Sequence, residues 1–523
     1  MTTAALPALP SRASSWFDAF TGKVTMYRVV LVSLVALVIV AVVAAGLGAI
    51  AYDPLAIVVD GAAVVVATVV GNRLIALAFR VTPHSESAVV TALILLFLFQ
   101  PSLTASGVGA VALAGVIASA SKYLLAIRGR HVANPAAIAV VVMSIAVPSA
   151  FPGWWIGAPV LLPFVLVASF VILRRTRKLL MGTLFAVVAT VGVTLAGLSF
   201  GSTLPVALSA AVLSSPVVFF AGFMLSEPLT LPPRRWQQLV LAVVVGVLFA
   251  VPFHVGPVFG TYELALVIGN VLAFAVGQRR GVRLDFVGRR QLDRTSWELL
   301  FRPRRRVRFR AGQYLELGLP HAHADLRGQR RVFSIVSAPS DETLRIGVKV
   351  AEPSSSFKTR LLELTPGEVV TGTAIGGDFV LPRDAGQPLL LVAGGIGITP
   401  FVSQVRALAG AGASPDFVLV HAVSSLDELS YLPELALGAA GADSARGSRR
   451  GLLVAPSRPD LLPLGWEYLG SGPLTAAMLG EAVPDAARRR GFVAGSPGFV
   501  AGVRRAMRSA GLRRVTTDAF NGY

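Results

Sequence analysis

The chain has 523 residues, of which 54% are hydrophobic and only 14% are charged, and its formal net charge is +19. A soluble protein carries about 25% charged residues, so this composition excludes a single large soluble domain. The chain contains no cysteine, which excludes disulfides, thiolate zinc sites, thiol nucleophiles and iron–sulfur clusters held by this chain.

The charge is unevenly distributed along the chain. Residues 1–280 consist of long apolar runs with few acids, whereas residues 281–523 have the charge and turn content of a soluble domain. This contrast predicts a membrane module joined to a globular module. Most of the excess positive charge lies at the ends of apolar segments, so we expect no nucleic-acid partner.

Ten apolar segments are predicted between residues 25 and 280. They are 27–50, 54–79, 87–102, 104–126, 134–150, 154–173, 179–199, 204–225, 236–253 and 259–277. Several are shorter than the roughly 20 residues that a full span needs, and 87–102 and 134–150 are candidates for half-length helices. No small-residue cleavage site follows a short apolar core, so we expect the first apolar run to be an uncleaved span and residues 1–24 to be a cytoplasmic segment.

Basic residues mark every second connection between these segments, and the other connections contain no Lys or Arg. The basic positions are Arg73, Arg80, Lys122, Arg128, Arg130, Arg174, Arg175, Arg177, Lys178, Arg234, Arg235, Arg279 and Arg280. Clusters of this kind face the cytoplasm. The pattern therefore predicts a multi-pass protein of the cell membrane with both termini and the soluble module in the cytoplasm.

Two polar stretches, 121–136 and 224–233, interrupt the membrane module. Their prolines break helices, and non-helical backbone at membrane depth requires surrounding protein or a cavity. Two ordinary cytoplasmic loops explain these stretches equally well.

The pattern Lys122…Gly129-Arg130…Asn134-Pro135-Ala136, with Glu227-Pro228 and Thr230 downstream, resembles the RnfD/NqrB family over about 25–280. The resemblance implies a ten-span subunit of ion-translocating oxidoreductase complexes, built from two inverted five-helix repeats, that transfers electrons through flavin. Family members carry FMN on the threonine of a Ser-Gly-Ala-Thr motif, which this sequence lacks. Covalent attachment of FMN at such a motif is therefore not expected here. The resemblance still allows a non-covalent FMN or riboflavin between the two polar stretches.

Haem and ion transport are two alternatives for the membrane module. A two-haem reductase needs paired axial histidines on facing helices, whereas His84, His131 and His254 lie in three different segments or loops. Asp60 and Glu263 lie in apolar segments, where an acid is costly and often functional. These acids support an alternative function, a redox-linked ion transporter whose soluble domain senses nucleotide or redox state.

The soluble module begins with short alternating strands between 283 and 350, which predict a small antiparallel barrel. One strand carries Arg331-Val332-Phe333-Ser334. The chemistry of these residues suits a flavin. Arg331 can pair with a pyrophosphate, Phe333 offers a flat face, and the Ser334 hydroxyl can hydrogen-bond near the flavin N5. A barrel strand with no ligand is the other interpretation.

Two further features of this region have a functional and a plain interpretation. The serines Ser355 and Ser356 precede a predicted helix and suit either a phosphate cradle or a simple helix cap. The arginine-rich run at 302–306 suits a lipid-headgroup or acidic-partner patch, although a solvated face is the simpler interpretation.

Residues 389–400, LLLVAGGIGITP, predict a buried parallel strand, a glycine turn and a helix start. We expect the Thr399 hydroxyl to cap that helix, with Pro400 in its first turn. Such a turn forms a phosphate site because free N–H groups and the helix dipole favour an anion. A tight connection is the alternative, but strand–helix alternation from residue 387 onward predicts an α/β nucleotide-binding sheet.

The order of these motifs, with Gly312-Gln313-Tyr314 before them and Gly495-Ser496-Pro497 after them, resembles the ferredoxin-NADP reductase superfamily over about 282–523. The resemblance implies an FAD-binding barrel at 281–385 and an NAD(P)-binding α/β domain at 386–523. It implies hydride transfer from nicotinamide C4 to flavin N5.

The resemblance also implies roles for individual residues, with no metal ligand among them. It implies FAD contacts for Arg331, Phe333, Ser334, Ser355 and Ser356, and NADH or NADPH contacts for Gly394, Gly395, Gly397, Thr399, Gly495 and Pro497. Catalytic roles would fall to Ser334 and to a terminal aromatic, Tyr523 or Phe520, stacked on the flavin. Ala494 replaces a cysteine common in the family, and residues 424–427 contain no arginine for a 2′-phosphate.

These features predict a membrane-bound flavoprotein oxidoreductase. We expect it to pass electrons from cytoplasmic NAD(P)H through FAD to a flavin, a quinone or an extracytoplasmic acceptor. The expected partners are membrane lipid and, as acceptor, a flavinylated extracytoplasmic electron-transfer protein or a quinone. A membrane scaffold that recruits redox partners is a further alternative.

Overall fold

The computed structural model describes residues 25–520 with internal gaps, and the chain forms two compact units that divide between Arg279 and Arg280. The gaps are residues 80–82, 84, 128–129, 148–151, 256–257, 277–280, 322–324, 326–328, 351–353, 383, 385, 412–414, 432, 436–448 and 463. The first unit is helical with two short hairpins, and the second contains two six-stranded sheets.

Helices fill the first unit. They are α1 (Met26–Gly46), α2 (Pro54–Ala78), α3 (Ser85–Leu98), α4 (Ala105–Leu124), α5 (Pro135–Ala146), α6 (Leu162–Arg175), α7 (Leu179–Ser199), α8 (Leu204–Ser214), α9 (Val217–Leu225), α10 (Arg235–Ala250) and α11 (Tyr262–Ala275). Helices α8 and α9 form a pair that is bent by 44° at a short break.

Four of these helices, α1, α2, α4 and α7, are individually long and apolar enough to cross a membrane. The bent pair α8 and α9 would make a fifth span, whereas α3, α5, α10 and α11 are apolar but shorter. The structure therefore supports four or five spans by length and composition, and the count of ten spanning segments stays a prediction.

Helices α2 and α5 begin in the same way. Asp53 Oδ1 accepts a hydrogen bond from Leu55 N at 2.8 Å, and Asn134 Oδ1 accepts from Ala136 N at 3.0 Å. A proline follows each cap at the first helical position, where the missing N–H costs nothing. Pro54 and Pro135 thus begin helices rather than interrupt them.

Small residues bring α2 and α4 close together. A Cβ atom on Gly115 would lie 2.3 Å from Thr68 Oγ1, and Ser119 Oγ donates to the Thr68 carbonyl at 2.9 Å. Close approach of this kind is typical of helix pairs in membranes. Large apolar side chains on the outer surface, such as Val32 and Leu74, are more than half exposed, which suits contact with lipid.

The order of elements repeats once within the first unit. The hairpin β1 (Ala126–Ile127) and β2 (Arg130–His131) precedes α5, and the hairpin β3 (His254–Val255) and β4 (Val258–Phe259) precedes α11. A duplicated five-helix arrangement would produce this order. The inverted relation of the two halves stays a prediction.

The first sheet of the second unit is antiparallel. Its strands are β5 (Val282–Gln291), β6 (Ser296–Pro303), β7 (Tyr314–Gly318), β8 (Arg330–Ser334), β9 (Leu344–Lys349) and β10 (Val369–Gly376), in the order β8-β7-β10-β5-β6-β9. A backbone bridge between Ile335 and Ile346 joins the two edges at one point. Closure into a complete barrel stays a prediction.

The second sheet is parallel and lies in the same unit. Its strands are β11 (Leu389–Gly394), β12 (Phe417–Ala422), β13 (Arg449–Val454), β14 (Trp466–Gly470), β15 (Arg490–Gly495) and β16 (Val515–Ala519), in the order β14-β13-β12-β11-β15-β16. Helices α12 (Ser356–Leu362), α13 (Thr399–Gly410), α14 (Ala476–Ala482) and α15 (Pro497–Ser509) belong to this unit. The central strand β11 is almost entirely buried, as a continuous apolar run predicts.

Candidate functional site

The two polar stretches of the first unit meet at Glu227. Its Oε1 atom lies 2.9 Å from His131 Nε2, and its Oε2 atom accepts a hydrogen bond from Asn134 Nδ2 at 3.0 Å. The Asn134 backbone N–H donates to Asn270 Oδ1 of α11 at 2.8 Å. Residues far apart in sequence thus form one hydrogen-bonded cluster.

A pocket adjoins this cluster. Its lining comes from both polar stretches and from α1, α3, α6 and α9, and comprises Met26, Tyr27, Val30, Ser87, Val90, Thr91, Ile94, Asn134, Pro135, Ala136, Ile172, Phe223, Ser226 and Glu227. Lys122 Nζ donates to the Ser87 carbonyl at 3.0 Å, which places a cation next to the lining. An apolar wall with a few convergent polar groups is typical of a small-molecule site.

The two acids within apolar segments are buried. Asp60 is 2% exposed and accepts a hydrogen bond from Ser102 N through Oδ2 at 2.9 Å. Its Oδ1 atom has no hydrogen-bond partner among the described residues. Glu263 is fully buried and accepts from Trp154 Nε1 at 2.7 Å.

Strand β8 places the predicted flavin residues in the second unit. Arg331 and Ser334 are both mostly buried, and the Arg331 guanidinium lies 5.1 Å from the Phe357 ring centroid. The Phe333 ring packs in the core of the sheet, with its centroid 6.1 Å from that of Phe357. Arg331 and Phe333 share the buried side of the strand because side chains alternate across it.

Ser356 converges with Arg331 on the Asp325 carboxylate. Asp325 lies 3.5 Å from Arg331 Nη2 and accepts a hydrogen bond from Ser356 N at 3.2 Å. Ser355 caps α12 by accepting from Lys358 N, and Ser356 Oγ accepts from Asp325 N at 2.9 Å. The arginine and the serine region therefore already hold an anionic group, and this donor set fits a phosphate.

The glycine turn lies at the carboxyl end of β11, where Gly395 adopts a φ of +52°. A Cβ on Gly397 would lie 2.4 Å from the Ala494 carbonyl oxygen, and a Cβ on Gly394 would lie 2.7 Å from the Phe499 ring. These contacts leave room only for glycine. The glycine turn after β11 therefore packs directly against the end of β15.

The predicted capping role of Thr399 is wrong. Thr399 is itself helical, with φ −54° and ψ −45°, because a 3₁₀ turn at Gly395–Ile398 runs directly into α13. A capping residue needs a non-helical backbone. The Thr399 hydroxyl donates instead to the Ile396 carbonyl at 3.0 Å, which braces the turn.

His421 supports the same turn, and the sequence motifs did not reveal it. It lies near the end of β12, is fully buried, and its Nε2 atom lies 3.1 Å from the Gly395 carbonyl oxygen. Burial lowers the pKa of His421 to about 4, so the ring is neutral at physiological pH and donates to that carbonyl. A histidine within the apolar strand FVLVHA was the available sequence signal.

Charged side chains connect the two sheets of the second unit. Glu434, in the connection after β12, lies within salt-bridge distance of Arg290, Arg345 and Arg406. In the same connection, Glu428 Oε1 pairs with Lys349 Nζ of β9 at 2.6 Å. These contacts hold the antiparallel sheet next to the glycine turn.

The late Gly495-Ser496-Pro497 motif begins α15. Ser496 caps this helix by accepting from Phe499 N, and Pro497 occupies its first position. The Phe520 N–H donates to the Gly495 carbonyl at 2.7 Å, so one predicted terminal aromatic is next to this motif. Tyr523, the other candidate, lies outside the described residues.

No cluster of three or more metal-ligating side chains occurs in the described part of the chain. The sites assembled by the fold are the Glu227 cluster in the first unit and, in the second, β8 with the serine region and the glycine turn.

Comparison with known proteins finds relatives of the C-terminal part of the chain. No protein-family model matches the chain. An NADPH oxidoreductase from Mycobacterium tuberculosis is 29% identical over 247 residues, which are 46% of this chain and 60% of that protein. The reductase subunit of an aromatic O-demethylase from Amycolatopsis is 31% identical over 219 residues, which are 40% of this chain and 61% of that protein.

Among solved structures, a cytochrome P450 reductase from Amycolatopsis is 26% identical, with 46% of this chain and 70% of that chain covered and a TM-score of 0.37. The chain spans less than two thirds of the length of the two curated relatives described above. The C-terminal part of this chain resembles ferredoxin-NADP reductase-type FAD- and NAD-binding modules.

Proposed function

We propose that the chain is a membrane-bound, FAD-containing NAD(P)H oxidoreductase. The resemblance of the C-terminal part to curated reductases supports the enzyme class, and the apolar helices of the first unit support membrane association. The observation that carries the proposal is structural. Gly347 of β9 packs against Thr399, so one compact unit holds both the strand with Arg331 and Ser334 and the glycine turn.

We assign residues 25–280 to the membrane domain, 281–385 to the FAD domain and 386–523 to the NAD(P)H domain. Arg331, Ser355 and Ser356 would hold the FAD pyrophosphate, because Arg331 and the Ser356 N–H already contact the Asp325 carboxylate and Ser355 caps the same helix. FAD, when bound, accepts a hydride from the nicotinamide and releases the electrons one at a time.

The chain's own residues then have three tasks. The Ser334 hydroxyl would orient the flavin edge that receives the hydride, and the turn with Gly394, Gly395 and Gly397 would present its backbone to the dinucleotide phosphates. His421 fixes the turn through the Gly395 carbonyl. Phe520, whose N–H donates to the Gly495 carbonyl, would stack on the flavin.

The test is an absorption spectrum of the purified full chain, recorded before and after anaerobic NADH and then NADPH. A flavin spectrum that one of them bleaches supports the proposal and identifies the donor. A preparation without flavin, or a flavin that neither donor bleaches, would contradict it.

Replacement of Arg331 by alanine is expected to lower FAD content at least tenfold, because a charge-assisted contact to a phosphate contributes about 1.5–3 kcal/mol. Arg330→Ala is the matched control, because Arg330 is the exposed neighbour on the same strand. Flavin absorbance per chain after gel filtration measures the effect. Full occupancy in the Arg331 variant would refute its assignment.

The Glu227 pocket supports a second redox site in the membrane domain. Its polar side and apolar wall suit a non-covalent FMN or riboflavin, or a quinone that accepts the electrons. An extracytoplasmic flavinylated protein would then receive electrons carried across the membrane. Extraction and counting of flavin tests this assignment, since more than one flavin per chain places one in the membrane domain.

Asp60 favours a second candidate function, redox-linked ion transport. A 98%-buried carboxylate with one unpartnered oxygen among the described residues is expensive in an apolar segment unless it binds a cation or proton. In proteoliposomes, loss of NAD(P)H-driven ion flux in Asp60→Asn with NAD(P)H oxidation retained would support transport. Unchanged ion flux in the Asp60 variant would contradict ion transport through this residue.

A further inference from the structure

An arginine-rich segment, residues 302–310, begins at the end of β6 and continues beyond it on the surface of the second unit. Six of its nine residues are arginine and none is acidic. The arginines are Arg302, Arg304, Arg305, Arg306, Arg308 and Arg310, and all six are exposed. Such a density of one charge is costly unless counter-charges lie nearby.

The segment has a definite orientation on the sheet. Val307 and Phe309 pack against the apolar core, whereas Arg306, Arg308 and Arg310 alternate with them and are exposed. The arginines therefore form a cationic face that the packing of the intervening residues holds in place.

Among the residues that the structure describes, few counter-charges accompany this face. Arg304 pairs with Asp285 at 2.8 Å, but within the described ranges no acid forms a salt bridge with the other five arginines. Some other arginines of the unit do have acidic partners, as Arg360 has Glu368 and Arg489 has Asp416. What distinguishes this face is its density of arginine with no acid between the arginines, which suits contact with an external anionic surface.

The face is close in the sequence to the last helix of the first unit. Arg304 N donates to the Arg283 carbonyl at 3.1 Å, and Arg283 is seven residues after Val276, which caps α11. Basic clusters of four to eight residues just cytoplasmic of a membrane helix attract anionic lipid.

We propose that the arginine face at 302–310 binds the anionic headgroups of the cytoplasmic membrane surface. This goes beyond the proposed electron transfer and rests on the proposed membrane location of the first unit. Each arginine near such a surface strengthens the contact about fivefold. Loss of three is therefore expected to reduce the ratio of docked to undocked protein on the order of a hundredfold.

The test uses the full chain in lipid nanodiscs of phosphatidylcholine, with or without phosphatidylglycerol. Because the chain has no cysteine, Ala311→Cys next to the face accepts a single nitroxide label. A nickel-chelating lipid headgroup reports the approach of that label to the surface. The test variant carries Gln at positions 305, 306 and 308. The control carries Gln at positions 504, 505 and 508, which removes three exposed arginines from α15.

We expect headgroup contact in the discs with phosphatidylglycerol, weaker contact at high salt, and loss of contact in the 305/306/308 variant alone. Equal contact in both variants, or contact that millimolar inorganic phosphate abolishes, would overturn the assignment to lipid. Bleaching of the flavin by NAD(P)H in the same discs separates this result from the proposed function. A failure of bleaching with the lipid contact intact would count only against the oxidoreductase proposal.

Discussion

His421 shows how a single buried residue links a candidate binding turn to protein stability. The side chain is enclosed in the parallel sheet, and burial lowers its pKa to about 4 from an ordinary value of 6.5. Between these two pH values the unfolded chain binds a proton that the folded chain excludes. The free energy of unfolding must therefore rise with pH across this window and fall as the pH drops from about 6.5 towards 4.

We predict that His421→Gln flattens this pH dependence. The lowering of the pKa from 6.5 to about 4 corresponds to about 3 kcal/mol of unfolding free energy. This contribution is present above pH 6.5 and is lost by pH 4. Glutamine keeps a donor for the Gly395 carbonyl but does not titrate. Thermal unfolding of the full chain in detergent between pH 4 and pH 7 measures the effect, and an unchanged slope in the variant would contradict it.

Sequence motifs located individual residues but not their long-range partners. Arg331 and Ser356 follow from local patterns, whereas Asp325, which both residues contact, belongs to no motif. The contact of His421 with Gly395 joins positions 26 residues apart. Such pairs depend on the order of the strands in the sheet, and local sequence motifs do not reveal that order.

At the scale of elements, the stretch 389–400 was predicted as strand, turn and helix, and the structure has these three elements in order. The local detail differed at Thr399, because a 3₁₀ turn removed the non-helical residue that a cap requires. Position 397 requires glycine because it faces the carbonyl of Ala494, a residue outside this stretch.

We predict that Gly397→Ala disrupts this element. Its Cβ would lie 2.4 Å from a backbone oxygen of β15, so the two strand ends must separate. We expect a loss of roughly 1–3 kcal/mol of stability and weaker NAD(P)H binding. Gly502→Ala is the matched control, since nothing lies within 4 Å of its Cβ and alanine favours the interior of α15. Equal melting temperatures of the two variants would refute the prediction.

At the scale of the whole molecule, composition predicted an apolar helical part followed by a sheet-containing part, and the structure has apolar helices in the first unit and two sheets in the second. The two polar stretches were recognised but remained ambiguous, because loops and buried polar clusters have similar compositions. Only the fold brings His131 and Asn134 to Glu227, which lies more than 90 residues away in the sequence.

We predict that Glu227→Gln interrupts electron flow inside the membrane domain while leaving the reductase unit active. The substitution removes the charge that His131 and Asn134 share, at a cost of about 1.5–3 kcal/mol. We therefore expect transfer to an added quinone, or occupancy of a second flavin, to fall tenfold or more. Flavin bleaching by NAD(P)H should change less than twofold. Glu86→Gln, which removes a partly exposed acid paired with Arg28 at 2.8 Å in the same unit, controls for the loss of a paired acid elsewhere in the unit. Stopped-flow spectra with NAD(P)H and then quinone separate the two steps, and unimpaired quinone reduction by the Glu227 variant would show that electrons bypass this cluster.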